Sequence, residues 1–124
     1  MEDLPKLRSW ATEEIEAILR SLPAPLRTRA QALPVTFERI PSPELQADGI
    51  AADTLGLFVG ADYADQELGS DPIPPQIILF LDNLWDFAED DVEIFREEVR
   101  TTFLHELGHY LGLDEDDLFD RGLD

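Results

Sequence analysis

The sequence predicts an α+β fold, in which a small twisted sheet of three to four strands packs on one long amphipathic helix. Residues 90–112 repeat apolar side chains with the 3.6-residue period of a helix. Residues 77–81 form a continuous apolar run, which is typical of a strand buried on both faces. Apolar and polar residues alternate over 35–40, as in a half-buried strand. A helix with an apolar face beside a small sheet predicts two packed layers.

The length and composition predict a single domain that spans residues 1–124. A hydrophobic content of 44% is sufficient for one packed core in a chain of 124 residues. The sequence contains no apolar run of about 18 residues, so no membrane-spanning helix is predicted. The first residues lack the basic and then apolar form of a signal peptide, and the chain has no cysteine. We therefore expect a cytoplasmic protein without disulfides.

Local patterns predict the segments that precede the long helix. Residues 12–22 are expected to form an amphipathic helix, with Thr12 as its amino-terminal cap and Pro23 as the residue that ends it. The next predicted segments are, in order, a short helical turn at 26–33, a strand at 35–40, a loop at 41–52, a strand at 54–60, an exposed connection at 61–75, the buried strand at 77–81 and a lead into the long helix at 83–89. A short acidic helix is expected after the long one.

The long helix has an apolar arc and a separate polar edge. At about 100° per residue, the arc contains Val92, Phe95, Val99, Phe103, Leu107 and Tyr110. His105 and His109 lie about a quarter-turn or more from the centre of this arc. They share that edge with Glu98 and Thr102. The core face and the polar edge are therefore expected to be adjacent but separate.

The polar edge contains an H-E-x-x-H motif, formed by residues 105–109. Residues four apart on a helix lie one above the other, so His105 and His109 can bind one zinc ion at about 2.0–2.1 Å. Glu106 is placed to accept a proton from a metal-bound water rather than to bind the metal. The motif specifies only three residues, so a solvated helix edge without a metal is the alternative.

A third zinc ligand is expected just after the long helix. Catalytic zinc sites usually have three protein ligands and one open position. Fifteen residues follow His109, which leaves little room for a ligand on a second long helix. A tight turn at Gly112 would bring the chain back toward the metal, which favours Glu115 or Asp116. The sequence leaves the choice between these two open, and a ligand from upstream is the other alternative.

The extended motif H-E-x-x-H-x-x-G-x-x-E resembles the motifs of zinc peptidases. It is similar to the metzincin pattern, but Glu115 stands where those enzymes usually have histidine or aspartate. The only methionine is Met1, so the metzincin Met-turn is absent. The chain more closely resembles the bacterial minimal zincin-like metallopeptidases. The segments that carry this resemblance cover nearly all of the chain and are TEEIEAILRSLP, PSPEL, PPQIILF and EEVRTTFLHELGHYLGLDEDDL.

The resemblance to this family implies a zinc-dependent peptidase. It implies His105 and His109 as zinc ligands, Glu106 as the catalytic glutamate and an acidic third ligand at Glu115 or Asp116. In the implied mechanism, the zinc ion activates a water molecule, and Glu106 takes its proton and passes it to the leaving amine. By analogy with this fold, an extended peptide would pair with a sheet edge beside the site.

The charge of the chain restricts the class of partner. The sequence has 28 acidic and 9 basic residues and a net charge of −19, which argues against binding to nucleic acids and anionic membranes. We expect a peptide or protein substrate, with basic ones favoured, although the charge can also serve solubility alone. The alternatives are a catalytically silent metal-binding module that recruits a basic protein through its acidic surface, a zinc hydrolase of non-peptide substrates, and a structural domain without metal.

Overall fold

The computed structural model describes residues 3–60 and 75–111, which contain five helices and a three-stranded sheet. In chain order these elements are α1 (Leu4–Ser21), α2 (Ala24–Gln31), β1 (Val35–Glu38), α3 (Pro43–Ala47), β2 (Gly56–Val59), β3 (Gln76–Phe80), α4 (Leu81–Phe87) and α5 (Val92–Leu111). The predicted α+β class, with a small sheet on one long helix, is confirmed. No helix within the two described ranges is both long and apolar enough to cross a bilayer.

The sheet is mixed, and β3 is its central strand. β3 pairs with β1 in parallel, with Val35 opposite Ile77, and with β2 in antiparallel, with Leu57 opposite Ile78. Residues 77–80 of β3 are buried, as the continuous apolar run predicted. β2 pairs with β3 along one side, and no other strand of the described residues pairs with its second side. Among the described residues, that second side of β2 is an edge of the sheet.

The core lies between α5, the sheet, α1 and α4. The buried apolar side chains of α5 are Phe95, Val99, Phe103, Leu107 and Tyr110. At the amino-terminal end of this face, the Phe95 ring centroid lies 6.2 Å from that of Trp10 and 5.6 Å from that of Trp85. The predicted apolar arc is thus confirmed, and Trp85 is a core residue.

Helix α1 starts well before its predicted start. Thr12 lies inside the helix and is exposed, so its prediction as the cap was wrong. The helix begins at Leu4 with Pro5 in its first turn, where the missing proline N–H has no intrahelical partner to lose. Leu7 and Ala11 are both fully buried and extend the apolar stripe toward the amino terminus. The predicted helix at 12–22 began too late because it did not include these two residues.

The predicted loop at 41–52 contains the short helix α3. Its cap is Ser42, whose side-chain oxygen accepts a hydrogen bond from the Leu45 N–H at 3.3 Å. Pro43 occupies the first turn, where proline is well tolerated. Serine followed by proline is a helix-start signal, so the sequence did contain evidence against the loop assignment.

Helix α4 follows β3 directly and fixes the chain that enters β2. The Asn83 side-chain amide donates hydrogen bonds to the carbonyl oxygens of Ala52 at 2.8 Å and Thr54 at 2.9 Å. These two bonds hold the chain just before Gly56, where β2 begins. The position of β2 is therefore set by its pairing with β3 and by the bonds from α4 to the residues just before it.

Helix α5 begins two residues later than predicted, at Val92. Asp90 has a left-handed backbone with φ of 64°, as does Glu89 with φ of 54°, so neither continues a helix. The Asp91 side chain caps α5, because its Oδ1 accepts a hydrogen bond from the Ile94 N–H at 3.1 Å. The acidic residues before the helix thus form a tight turn and a cap.

Candidate metal centre

The carboxyl-terminal half of α5 brings His105, Glu106 and His109 together. Both histidines are exposed, whereas Glu106 is buried, with 7% of the residue exposed. The two imidazole ring centroids lie 4.6 Å apart. Each of the three residues offers a nitrogen or carboxylate oxygen, and these atoms all lie within 4.8 Å of one another. Helical spacing alone explains this convergence, because residues 105 and 109 are one turn apart.

The donor atoms fit a zinc ion. Zinc takes imidazole nitrogens at about 2.0–2.1 Å, so two nitrogens in a tetrahedral site lie roughly 3.3 Å apart. Atoms that lie within 4.8 Å of one another can reach that spacing by small side-chain rotations. The exposure of both rings leaves space for a further ligand. The predicted third ligands, Glu115 and Asp116, and the predicted turn at Gly112 lie outside the described residues.

The Glu106 carboxylate is held by the backbone of β2. Its Oε1 accepts a hydrogen bond from the Phe58 N–H at 3.1 Å. The Nδ1 of His109 lies 3.7 Å from the same oxygen, which is too long for a hydrogen bond. Within the described part of the chain, Oε2 has no hydrogen-bond partner. One carboxylate oxygen is therefore fixed by a neutral donor, and the other can accept a proton.

Sequence reasoning did not find Phe58. Its contribution is a backbone N–H, which every residue except proline has, and it lies 48 residues from Glu106 in sequence. The prediction of a strand at 54–60 placed Phe58 on a strand, but not beside the motif. The only available signal was that β2 could be an edge strand, whose outward N–H groups need partners.

The contact between β2 and α5 depends on Gly56. A Cβ atom at this position would lie 2.5 Å from the Thr102 Cγ2, closer than carbon atoms can pack. Two residues later, the Phe58 ring centroid lies 5.8 Å from that of Tyr110. Gly56 is thus beside Thr102, and Phe58 is beside Glu106, one turn farther along α5. The strand and the helix therefore run in the same direction along the site.

Backbone groups of β2 point away from β3 at every second residue. The Leu55 carbonyl accepts a hydrogen bond from the Phe80 N–H at 3.0 Å, so Leu55 points toward β3. Phe58 instead donates its N–H to Glu106. Alternation in an antiparallel pair then directs the backbone groups of Gly56 and Phe58 toward α5. The side of β2 that no described strand pairs with and the polar edge of α5 form one continuous surface, which we call the β2–α5 surface.

Comparison with known proteins gives one family. The sequence model of the zincin-like metallopeptidases matches residues 30–123 of the chain. The matched range begins within α2 and contains the whole sheet, α3, α4, α5 and the H-E-x-x-H motif. No curated protein matches the chain.

Proposed function

Since the chain belongs to the zincin-like metallopeptidase family, we propose that it is a zinc-dependent metallopeptidase, which hydrolyses peptide bonds with a water molecule that Glu106 activates. One observation carries this proposal: the Glu106 carboxylate is buried and held by the Phe58 N–H, immediately beside two exposed imidazoles. A hydrolase of this class needs such a base fixed next to a metal-binding pair.

The proposed zinc ligands are His105, His109 and either Glu115 or Asp116. A zinc ion held there would supply a Lewis acid that polarises the scissile carbonyl and lowers the pKa of water. The two histidines lie on the exposed edge of a helix whose opposite face is buried, so their backbone positions are fixed by the core. The rings need only rotate to bind.

Glu106 is proposed as the general base and, afterwards, the general acid. The Phe58 N–H occupies Oε1, so Oε2 takes the proton from water and returns it to the leaving amine. The burial of Glu106 restricts the number of conformations that its side chain can adopt. A fixed base loses little entropy when the transition state forms, which favours catalysis.

The proposed substrate is an extended peptide that lies on the β2–α5 surface. The carbonyl oxygens of Gly56 and Phe58 are directed outward and can accept hydrogen bonds from peptide N–H groups, as in β-strand addition. The Phe58 N–H is already used by Glu106. The peptide bond that lies opposite Phe58 would therefore be next to the base. The net charge of −19 favours cationic peptides over anionic ones.

Metal content and peptide cleavage test the proposal together. The protein should be purified without a histidine tag or chelator, its metal measured by mass spectrometry, and its activity measured on a mixture of unrelated peptides. We expect zinc in the wild type and in Glu106→Gln, with cleavage about 100- to 10,000-fold slower in the variant because the general base is lost. His109→Ala should lose both zinc and activity.

Glu97→Gln is the matched control. It makes the same change of charge on α5 as Glu106→Gln does. Glu97 is exposed and lies on a different side of the helix from both histidines. It should retain both zinc and activity. Undiminished cleavage by Glu106→Gln would contradict the proposed role of Glu106 as the general base. Full zinc content without cleavage of any peptide would instead favour the catalytically silent metal-binding module.

A further inference from the structure

The polar edge of α5 extends beyond the histidines to Glu98. At about 100° per residue, Glu98, His105 and His109 fall within about 40° of one another around the helix axis. Glu98 is two turns before His105, which places it about 10 Å away along the axis. Thr102 lies between them and contacts β2 at Gly56. Glu98 therefore belongs to the β2–α5 surface, at its end nearest the start of α5.

Glu98 differs in its contacts from three other glutamates on or beside α5. Glu13 and Glu14 each lie 3.3 Å from Arg96, on the flank that faces α1. Glu106 accepts the Phe58 N–H. Glu98 is also partly buried, but no residue in the described ranges donates a hydrogen bond to it or forms an ion pair with it. A carboxylate that has no partner among the described residues can form a charge-assisted hydrogen bond with a cation that reaches it.

A peptide on the β2–α5 surface would pass Glu98. Antiparallel pairing with β2 is the more stable arrangement. β2 runs in the same direction as α5, from Gly56 at Thr102 to Phe58 at Glu106. An antiparallel peptide therefore runs toward the start of α5, so that residues after the scissile bond approach Glu98. A distance of about 10 Å corresponds to about three residues of extended chain.

We propose that Glu98 selects a lysine or arginine at the third residue after the scissile bond. The inference rests on the proposed peptidase function and adds a substrate class to it. The cation of that side chain satisfies the carboxylate with a charge-assisted hydrogen bond. The net charge of −19 steers cationic peptides toward the protein, and Glu98 determines the position of the cation within the bound peptide.

A panel of fluorogenic peptides tests this selectivity. Each peptide has one lysine, placed in turn at positions one to four on either side of a common scissile bond, and a parent peptide has glutamine throughout. For the zinc-loaded wild type we expect kcat/KM about tenfold higher when lysine is third after the scissile bond, which corresponds to one charge-assisted hydrogen bond at a partly exposed site.

Glu98→Gln should remove this tenfold preference, measured within the variant as the ratio of kcat/KM for the lysine peptide to kcat/KM for the parent peptide. Glu98→Lys should reverse it, so that a peptide with glutamate at the third position becomes the better substrate. Glu97→Gln removes the same charge from the neighbouring exposed position and should retain the wild-type preference. Circular dichroism and thermal unfolding verify that each variant is folded. An unchanged lysine preference in Glu98→Gln would overturn the proposal, as would a wild type without any preference.

A binding measurement separates this inference from the proposed function. In the Glu106→Gln background, fluorescence anisotropy gives the Kd of the labelled lysine peptide with and without Glu98→Gln. We expect about tenfold weaker binding after the second substitution. If Glu98 strengthens binding but no peptide is cleaved by the wild type, the peptidase function fails and cation recognition stands. If peptides are cleaved and Glu98 changes neither binding nor cleavage, the function stands and the role of Glu98 fails.

Discussion

The two flanks of α5 hold their carboxylates in different ways. On the α1 flank, Arg96 pairs with Glu13 and Glu14, at 3.3 Å each. On the β2 flank, Glu106 is held by the Phe58 N–H, a neutral donor, at 3.1 Å. Arg96 is 30% exposed and Glu13 is 57% exposed, whereas Glu106 is buried. The flanks therefore differ both in the charge of the partner and in access to water.

This difference predicts that the α1 flank contributes to stability and that the β2 flank contributes to activity. Ion pairs between exposed side chains contribute roughly 0–1 kcal/mol, because water and salt screen them. A neutral N–H instead fixes the position of the carboxylate through Oε1 and leaves Oε2 without a partner among the described residues. Substitutions on the α1 flank should thus have small effects on stability and none on activity. Substitutions on the β2 flank should change activity by more than they change stability.

The largest effect is expected where both flanks depend on the same core residue. Phe95 is fully buried between Trp10 and Trp85, so Phe95→Ala leaves a cavity beneath α5. We expect the free energy of unfolding to fall by about 3–5 kcal/mol, measured by urea denaturation. Ile94→Ala is the control, because the neighbouring Ile94 side chain is 42% exposed and should matter little. Similar losses of stability in both variants would contradict the packing of Phe95 between Trp10 and Trp85.

The second largest effect is expected from a substitution that breaks the contact between β2 and α5. Gly56→Ala places a Cβ against the Thr102 Cγ2, which should separate strand from helix and lower stability by about 1–3 kcal/mol. Cleavage should fall as well, since Phe58 then moves away from Glu106. Thr102→Ala in the same chain removes the colliding methyl group and should restore most of both losses. Additive losses in the double variant, measured by a double-mutant cycle, would exclude this contact as the cause.

A smaller change removes only the donor that holds Glu106. Phe58→Pro deletes the N–H, and because this N–H points away from β3, no bond of the sheet is lost. We expect kcat to fall by about 10- to 100-fold through misplacement of the base, with little change in KM or zinc content. Phe58→Ala retains the N–H and removes the ring. If kcat falls to the same extent in both variants, the loss of the ring and not the loss of the N–H is responsible for the lower activity.

The smallest effect is expected on the α1 flank. Arg96→Met retains most of the apolar stem and removes both ion pairs with α1. The free energy of unfolding should fall by less than about 1 kcal/mol, and kcat/KM should stay at the wild-type value. Measurement at low and high salt sharpens the comparison, because the stability difference between the wild type and the variant should shrink as salt rises. A marked loss of activity in this variant would show that the flanks are not independent.

Periodicity predicted much of this fold. The arc from Phe95 to Tyr110 follows from the 3.6-residue period, and the central position of β3 follows from its unbroken apolar run. The same helical geometry predicts that His105 and His109 share one edge. These features depend on neighbours in sequence, which is why the pattern of residues is sufficient to predict them.

Contacts between distant segments could not be predicted in this way. The bond from Phe58 to Glu106 uses a backbone group, and the requirement for glycine at position 56 comes from the methyl group of Thr102. Neither has a signature in the residues around it. The early start of α1 and the Ser42 cap of α3 did have local signals, so those two errors were avoidable. The choice between Glu115 and Asp116 remains a prediction.

Because α5 supplies both the buried face of the core and the edge with the histidines, occupancy of the proposed metal site would be thermodynamically linked to resistance to unfolding. A ligand that binds only the native chain stabilises it by about 2.7 kcal/mol at a free concentration one hundred times its Kd. We expect the zinc-free chain to open more often and to be digested sooner by other proteases. Under the proposed function, scarcity of the metal would then shorten the lifetime of the protein in addition to removing its activity.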